Sequence, residues 1–486
     1  MGYGYLALAV KSEHDNYLVG NPQFTYFKAV YKRHTNFSSD FQEITFAHNT
    51  EDCWGKKIYL KVPKNGDLIH RCYLTIDVDI TGSGPEREFG GLKDWDLATW
   101  GGGSGTYSYA PFAYNFIEYI DLYIGDQLID RHYGEWLHIC HDLFENSQKS
   151  LALAKMVELN TSTNDSAKRL YIPLKFWFNN DVGMSLPLLA LQYSDVKFEI
   201  KFNKKTEVSK FSSGQAMESA ITIKEVKILV ENIYLDQDER RAFSSSKHEY
   251  LITQVQSSLN NTISNLDNLW GNTDAAATTK FQALRHKIDL RFTHPVKELF
   301  WTIQDKTGIK IPHINAAATA VAQTESFTNT GCFKYNYWNN YRIGQDQMNN
   351  CTLVLNNKEL MDELPATFFR DVQQYQYHGS YGIEHISVFP RTRLNPLPNY
   401  QDYSKGSGVY SYSFSLYPEN TQPSGSLNFS RLQGAQLKFG LNKGKEWAET
   451  TAGDVTPVQN KVVTIYAVNY NVLRIMSGLA GLVFTN

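Results

Sequence analysis

The stretch Tyr417–Phe439, YPENTQPSGSLNFSRLQGAQLKF, has a loop half and a strand half. Pro418, Asn420, Pro423, Ser424 and Gly425 punctuate the first half. Proline fixes φ, and Gly and Asn tolerate positive φ, so this half is turn chemistry. Apolar residues then recur at Leu427, Phe429 and Leu432, and after Gly434 at Ala435, Leu437 and Phe439. Alternation of period two predicts a strand with one buried face. Arg431 interrupts the series, and a buried arginine there needs a carboxylate or carbonyl partner. It is therefore expected to be a structural, paired residue. No catalytic set lies in the stretch.

The same alternation spreads outward along the chain. Val196–Phe202 places Val196, Phe198, Ile200 and Phe202 on one face and Lys197, Glu199 and Lys201 on the other. That is the signature of an antiparallel sheet with one wet side. Further strands are predicted at 41–46, 56–62, 68–78, 117–124, 170–178, 221–235, 248–256, 286–292, 296–304, 351–355, 386–389, 409–416 and 461–475. Asn65-Gly66-Asp67 reads as a tight hairpin turn. Gly125-Asp126 and Asn356-Asn357 read as turns between strands. Tyr133–Leu159 reads as a helical insertion, because Trp136, Leu137, Cys140 and Phe144 recur near helical spacing. Glu363–Tyr377 reads as a comparable half-buried helix.

These elements come in an order that repeats. In each half a strand leads to a hairpin, a very long loop, a strand with a polar turn, a short aromatic helix and more strands. Residues 117–144 and 351–378 correspond in architecture while sharing little identity. The charged, then Ser-rich segment Asp236–Ser246 is the best linker. About eight strands per half with long connections fit a jelly roll better than a meander. The expected fold is all-β: two consecutive eight-stranded antiparallel jelly rolls with short helical insertions and long inter-strand loops. The expected division is an N-terminal segment 1–22, a first roll 23–240 and a second roll 241–486.

Composition narrows the function. The 486 residues carry a net charge of −3, which argues against a protein whose main work is coating nucleic acid. Aromatic residues reach 14%, favouring strands. Cys53, Cys72, Cys140, Cys332 and Cys351 are scattered, odd in number and without a CxxC, so free thiols from a reducing compartment are expected. No apolar run approaches the ~18 residues of a membrane span. Leu6–Val10 is too short for a signal-peptide core. The chain therefore reads as cytosolic at synthesis.

Several residues invite a chemical reading. Lys28, Lys32 and Arg33 lie among Phe24, Tyr26, Phe27 and Tyr31, a mixture that binds single-stranded nucleic acid in some proteins. Basic stems lying over an aromatic face explain it more simply. Glu135 and His138 form an ExxH pair, with His141 and Asp142 following; a di-metal site needs a second such pair, and none of matching quality occurs. The Gly-rich run 101–105 lacks the following Lys-Ser/Thr and helix that a phosphate loop requires. Glu118, Asp121, Glu359 and Glu363 are carboxylates without a motif around them. Asn36, Asn160, Asn164, Asn260, Asn350 and Asn428 head N-x-S/T sequons, which an Asn-rich chain produces by chance. No catalytic, cofactor-binding or metal-binding residue is assigned, and no cofactor is expected.

A resemblance adds to this reading. PENTQPSGSLNFSR (418–431) resembles the C-terminal strand-and-loop segment of major capsid proteins of nucleocytoplasmic large DNA viruses. YLVGNPQFTYFKAVYKRHTNF (17–37) is similar to their N-terminal motif. YIPLKFWFNNDVGMSLPLLALQYSDVKFEIKF (171–202) and IYAVNYNVLRIMSGLAGLVFTN (465–486) resemble the same family, in its order. The likeness is weakest at 81–112, 257–285 and 305–348. It implies a structural protein with no enzymatic activity, located in the virion shell and assembled in the host cytoplasm. The implied partners are a homotrimer forming a pseudo-hexagonal capsomer, neighbouring capsomers, and minor capsid proteins and an internal membrane beneath, with no sequence-specific nucleic acid. A minor capsid paralogue and a carbohydrate-binding or glycan-processing double jelly roll are the alternatives.

Overall fold

The computed structural model describes residues 10, 12–46, 52–80, 112–145, 149, 152–153, 156–157, 167–205, 221–263, 285–305, 309–312, 324–327, 348–378, 408–441 and 461–485. The first nine strands are β1 (Phe37–Thr45), β2 (Lys57–Lys61), β3 (Leu68–Ile80), β4 (Ile117–Ile124), β5 (Gln127–Tyr133), β6 (Ala167–Pro173), β7 (Leu186–Pro187), β8 (Val196–Phe202) and β9 (Ile221–Leu235). They form one sheet in the order β1-β9-β3-β6, with β7 added to β3, and a second in the order β2-β8-β4-β5. Inward residues of the two sheets, including Leu60, Leu74, Ile76, Ile120, Phe198, Ile200 and Ile228, share one buried core.

Thirteen more described strands follow. They are β10 (His248–Ile263), β11 (Arg285–Asp289), β12 (Pro295–Asp305), β13 (Ile309–Pro312), β14 (Thr324–Phe327), β15 (Met348–Leu355), β16 (Lys358–Glu359), β17 (Leu364–Pro365), β18 (Tyr410–Ser413), β19 (Leu427–Asn428), β20 (Ala435–Leu441), β21 (Lys461–Met476) and β22 (Leu479–Leu482). One sheet runs β10-β21-β12-β18, with β19 on β12 and β22 on β21. Its partner runs β11-β20-β15-β16, with β17 on β15. Strands β13 and β14 pair as a separate hairpin. Leu299, Trp301, Ile303, Leu353, Leu437, Phe439 and Ile465 belong to the core of this half.

The two halves have the same topology. Numbering the eight principal strands of each, the sheets read 1-8-3-6 and 2-7-4-5 in both. This is the jelly-roll arrangement, twice. The likeness reaches the two-residue strands: Leu186 pairs with Ile69 of β3, and Leu427 pairs with Val296 of β12. It is also visible without gaps in the sequence, where SLPLLALQYSDVKFEI (185–200) aligns with SLNFSRLQGAQLKFGL (426–441). Alternate burial of Ala435, Leu437, Phe439 and Leu441 matches the expected strand. Two-residue loops join β4 to β5 and β15 to β16, the second with positive φ at both Asn356 and Asn357.

Five local expectations are corrected or sharpened. Asn65-Gly66-Asp67 is no hairpin, because β2 and β3 belong to different sheets and the chain crosses between layers there. Asp67 ties the crossing down by accepting from the Leu235 N–H at 2.9 Å. The helix from Tyr133 is interrupted after Phe144, where Glu145 turns extended (ψ 135°), and the described residues 149, 152–153 and 156–157 are helical again. Glu363–Tyr377 is helical only from Ala366, since Leu364–Pro365 is taken by pairing with β15. The linker Asp236–Ser246 holds a helix, Gln237–Ser245, whose Asp236 cap accepts from the Gln237 N–H. The series Leu427–Phe439 is broken by a 3-10 turn, Phe429–Arg431, which leaves Arg431 exposed and without an ion pair among the described residues. The expected strand 386–389 and Cys332 lie outside the described residues.

The wet face of β8 is drier than expected. Glu199 is buried, and its carboxylate meets Lys57 at 2.8 Å and the Tyr119 hydroxyl at 3.1 Å. Burial works against its charge, but these bonds hold its carboxyl below the usual range. Lys57, Arg131 and Lys201 surround the Tyr119 ring at 5.5, 4.2 and 5.8 Å. Paired charges can thus cover a sheet face in place of apolar side chains.

Candidate functional site

Two features separate this molecule from a pair of independent sandwiches: a packed seam between the halves and an uncovered N-terminal arm. The seam is built by the helix Gly134–Phe144, which follows β5 directly. Its Trp136, Ile139, Cys140 and Leu143 pack against Phe300, Val409, Tyr466 and Val468 of the second half. The chain enters the helix through Gly134, where a Cβ would stand 2.3 Å from the Tyr114 carbonyl oxygen. Because this sheet has the core on one side and the helix on the other, β21 is buried along nearly its whole length. Its sequence, KVVTIYAVNYNVLRIM, is correspondingly apolar on both faces.

Polar groups fix the seam's register. Glu135 accepts from Thr302 Oγ1 at 2.6 Å, Gln304 Nε2 at 3.1 Å and the Tyr466 hydroxyl at 3.1 Å. Burial, reinforced by this carboxylate, pushes the Tyr466 phenol well up. The buried Asp130 accepts from the Val255 N–H at 3.0 Å. The C-terminal hairpin straps the same seam. Gly478 O accepts from the Tyr193 N–H, Ser194 Oγ from the Ala480 N–H, and Gln127 Oε1 from the Leu482 N–H. The tail is therefore a strand and a clasp.

This geometry assigns the ExxH pair. Glu135 faces the second half and is engaged by its donors, while His138 turns to Asp142, with Nδ1 3.6 Å from the carboxylate. His141 Nδ1 lies 3.4 Å from the Tyr114 hydroxyl. Among the described residues, no cluster of three His, Cys, Asp or Glu has metal-binding geometry. The four candidate carboxylates are each matched by a cation. Glu118 pairs with Lys201, Asp121 with Arg131 through two 2.6 Å bonds, Glu359 with Lys438, and Glu363 with Arg285. Cys72, Cys140 and Cys351 are buried free thiols, and Cys53 is buried as well. Burial pushes Cys72 up to about 12, which keeps it protonated.

The arm is the opposite of the seam. Every residue from Asn16 to Phe41 is exposed. Tyr17 is 91% exposed, Tyr26 89%, Phe27 98% and Tyr31 88%. Lys28, Lys32 and Arg33 stand among them, so the expected packing of basic stems over a covered aromatic face does not occur within one chain. The arm leads into β1, which among the described residues is an edge strand paired only with β9. Apolar area left in water costs about 25 cal/mol per Å² relative to burial. Exposed aromatic side chains on a segment that leads into a sheet-edge strand are a form an assembly surface takes. Of the sequon residues, Asn36 is exposed on this arm; Asn350 donates to Glu363, and Asn428 caps the turn at Ser430. Asn160 and Asn164 lie outside the described residues, and Asn260 falls within β10.

Comparison with known proteins agrees with this architecture. The family model for the major capsid protein N-terminus matches residues 25–236. The model for the large eukaryotic DNA virus major capsid protein matches residues 239–389 and 395–481. The major capsid protein of Pyramimonas orientalis virus is 32% identical across the full length of both chains. That of Paramecium bursaria Chlorella virus 1 is also 32% identical across both. Among solved structures, PBCV-1 VP54, fitted into a reconstruction of the virophage Sputnik, superposes with a TM-score of 0.71 at 27% identity, covering 95% of this chain and all of that one. The Faustovirus major capsid protein shares the fold, with a TM-score of 0.59 at 10% identity. With one family spanning both jelly rolls and full-length relatives above 30% identity, the chain belongs to the major capsid proteins of large eukaryotic DNA viruses.

Proposed function

We propose that three copies of this chain associate into a pseudo-hexagonal capsomer that tiles the flat facets of an icosahedral shell. The observation that carries this reading is the duplicated topology, 1-8-3-6 and 2-7-4-5 in each half. Two similar rolls per chain give six similar units from three chains, and a near-sixfold outline tiles a plane. The seam supports it, because a rigid link between the rolls fixes the angle between neighbouring units. The functional division then follows the segments 1–22, 23–240 and 241–486.

The uncovered arm is the second element of the proposal. It lies at the capsomer base, directed toward minor capsid proteins and an internal membrane, in a shell assembled in host cytoplasm. The role is structural and geometric, and no catalysis is assigned to it. Sizing the purified recombinant chain tests the proposal: a stable species of about three chain masses supports it, and a strict monomer at high concentration overturns it. Deleting residues 1–22 should leave soluble trimers that assemble poorly. Normal assembly by those trimers would remove the role of residues 1–22.

A further inference from the structure

The seam that joins the two rolls has a counterpart whose two sides do not meet within the chain. Equivalent positions follow from the pairing. Leu186 and Leu427 mark Ile69 of β3 and Val296 of β12 as the same place in the two rolls. Counting on from there, Tyr73 corresponds to Phe300, and their strand neighbours correspond too, Leu229 on β9 and Tyr466 on β21. On the strands beside these, Tyr171 of β6 takes the place of Val409, and Phe41 of β1 that of Val255. In the second roll this outer face lies under the seam helix, and Phe300, Val409 and Tyr466 are fully buried. In the first roll the same face is open: Tyr73, Tyr171 and Leu229 are half-buried, and Phe41 is 52% exposed.

The covering helix is duplicated as well. In the first roll it enters from β5 at Gly134 and sends Leu137 into its own core. In the second it begins at Ala366 and sends Phe369 into its own core. The face turned away from the core carries Trp136, Ile139, Cys140 and Leu143 in the first helix, all buried against the other roll. In the second helix it carries Phe368, Val372 and Tyr375, which share one stripe at helical spacing. Val372 is 41% exposed and Tyr375 84%. The polar position changes in step. Glu135, the second residue of its helix, faces Thr302 and Gln304. The second residue of the other helix is Thr367, and the corresponding sheet positions are Thr75 and Asp77. A glutamate opposite Asp77 would bring two carboxylates together, whereas a threonine hydroxyl is a donor. Beside the aromatic patch Arg169 pairs with Asp77 and Glu43, a charged rim of the kind that borders an interface.

We propose that these two open faces meet between chains: Phe368, Val372 and Tyr375 of one copy dock over Phe41, Tyr73, Tyr171 and Leu229 of a second copy, repeating the internal seam. The number of copies rests on the trimer reading above; the choice of faces rests on the internal seam. The contact is head-to-tail, because each chain uses a different face toward each neighbour. Such contacts close into a ring when each step turns through the right angle. The internal seam sets that angle within a chain, and its repeat sets a matching one between chains. Every join then presents one helix to one sheet, so first and second rolls alternate around the ring through like contacts.

Photo-crosslinking of the full-length protein tests the docking, with a benzophenone amino acid replacing the exposed Tyr375. Bands of more than one chain mass isolate the links between chains, and mass spectrometry locates them. Links from position 375 should fall in peptides of β1, β3, β6 or β9. Sizing of the same sample reads the assembly separately. An assembled species whose interchain links all lie elsewhere, or that gives none, overturns the docking and leaves the trimer standing. The expected links in an assembly of another size sustain the docking and overturn the trimer, and a strict monomer overturns both. Tyr375→Glu and Phe41→Glu, each at an exposed position, should weaken association about tenfold or more, the loss of a buried aromatic anchor. The melting curve of the separated chain should not change. Unchanged association in both variants overturns the proposal.

Discussion

Glu135 and Tyr466 meet across the seam: the phenol of one jelly roll donates to the carboxylate of the other at 3.1 Å, across 331 residues of sequence. The same carboxylate takes Thr302, which is also fully buried. Glu135→Ala leaves these donors in a dry site, where each unsatisfied group costs about 1–3 kcal/mol. We expect a loss of about 3 kcal/mol in denaturant unfolding. Tyr466→Phe, which removes the donor and keeps the ring, should cost about 1 kcal/mol. A double-mutant cycle measures the coupling between the two directly.

The clasp should fail at one position. Gly478 has φ +79°, and a Cβ there would lie 2.6 Å from a ring carbon of Tyr193. Gly478→Ala adds about 1–2 kcal/mol of backbone cost to that clash. The expected outcome is faster cleavage of the C-terminal tail in limited proteolysis, with the rest of the chain intact.

At the foot of the seam, burial holds the Asp142 carboxyl well above its usual range. A raised acid stabilises the fold fully below the ordinary aspartate value and loses that contribution as pH rises. The native protein should therefore weaken toward alkaline pH, with a contribution from this group of up to about 1.4 kcal/mol per pH unit. Asp142→Asn should flatten that part of the slope in melting curves collected at a series of pH values.

Arg431 gives a contrasting prediction. It is exposed on a 3-10 turn, so Arg431→Ala should change stability by less than about 0.5 kcal/mol, as exposed substitutions generally do. A drop of several degrees in the melting temperature would restore the structural role its neighbours in sequence first imply.

Entry into the seam helix supplies the last. Gly134 stands where a Cβ would meet two carbonyl oxygens, of Tyr114 and Ile117, at 2.3 and 2.4 Å. Backbone cannot yield there as a side chain can, so Gly134→Ala should cost about 1–3 kcal/mol, like other overpacked sites. Because the helix carries the seam, the yield of the trimer proposed above should fall with it.

By itself, the sequence determined the strands and their doubling. Alternation such as Val196–Phe202 and Ala435–Leu441 is a local consequence of the pleat, which sends successive side chains to opposite faces. Two-residue turns such as Asn356-Asn357 are equally local, since they depend on which residues accept positive φ. Tertiary structure decided everything that needs a partner distant in sequence. The spacing of Asn65-Gly66 could not reveal that β2 and β3 lie in different sheets. Nothing near Glu135 announces Tyr466, so a seam carboxylate looked like half of a metal motif. Arg431 seemed to need a partner because alternation puts it in a strand, whereas the 3-10 turn carries it outward. Even the opening stretch, Tyr417–Phe439, changed in this way. Its strand was legible in the alternation, but its loop takes its position from Lys297, His378 and Asp181, groups that only the folded chain brings to it.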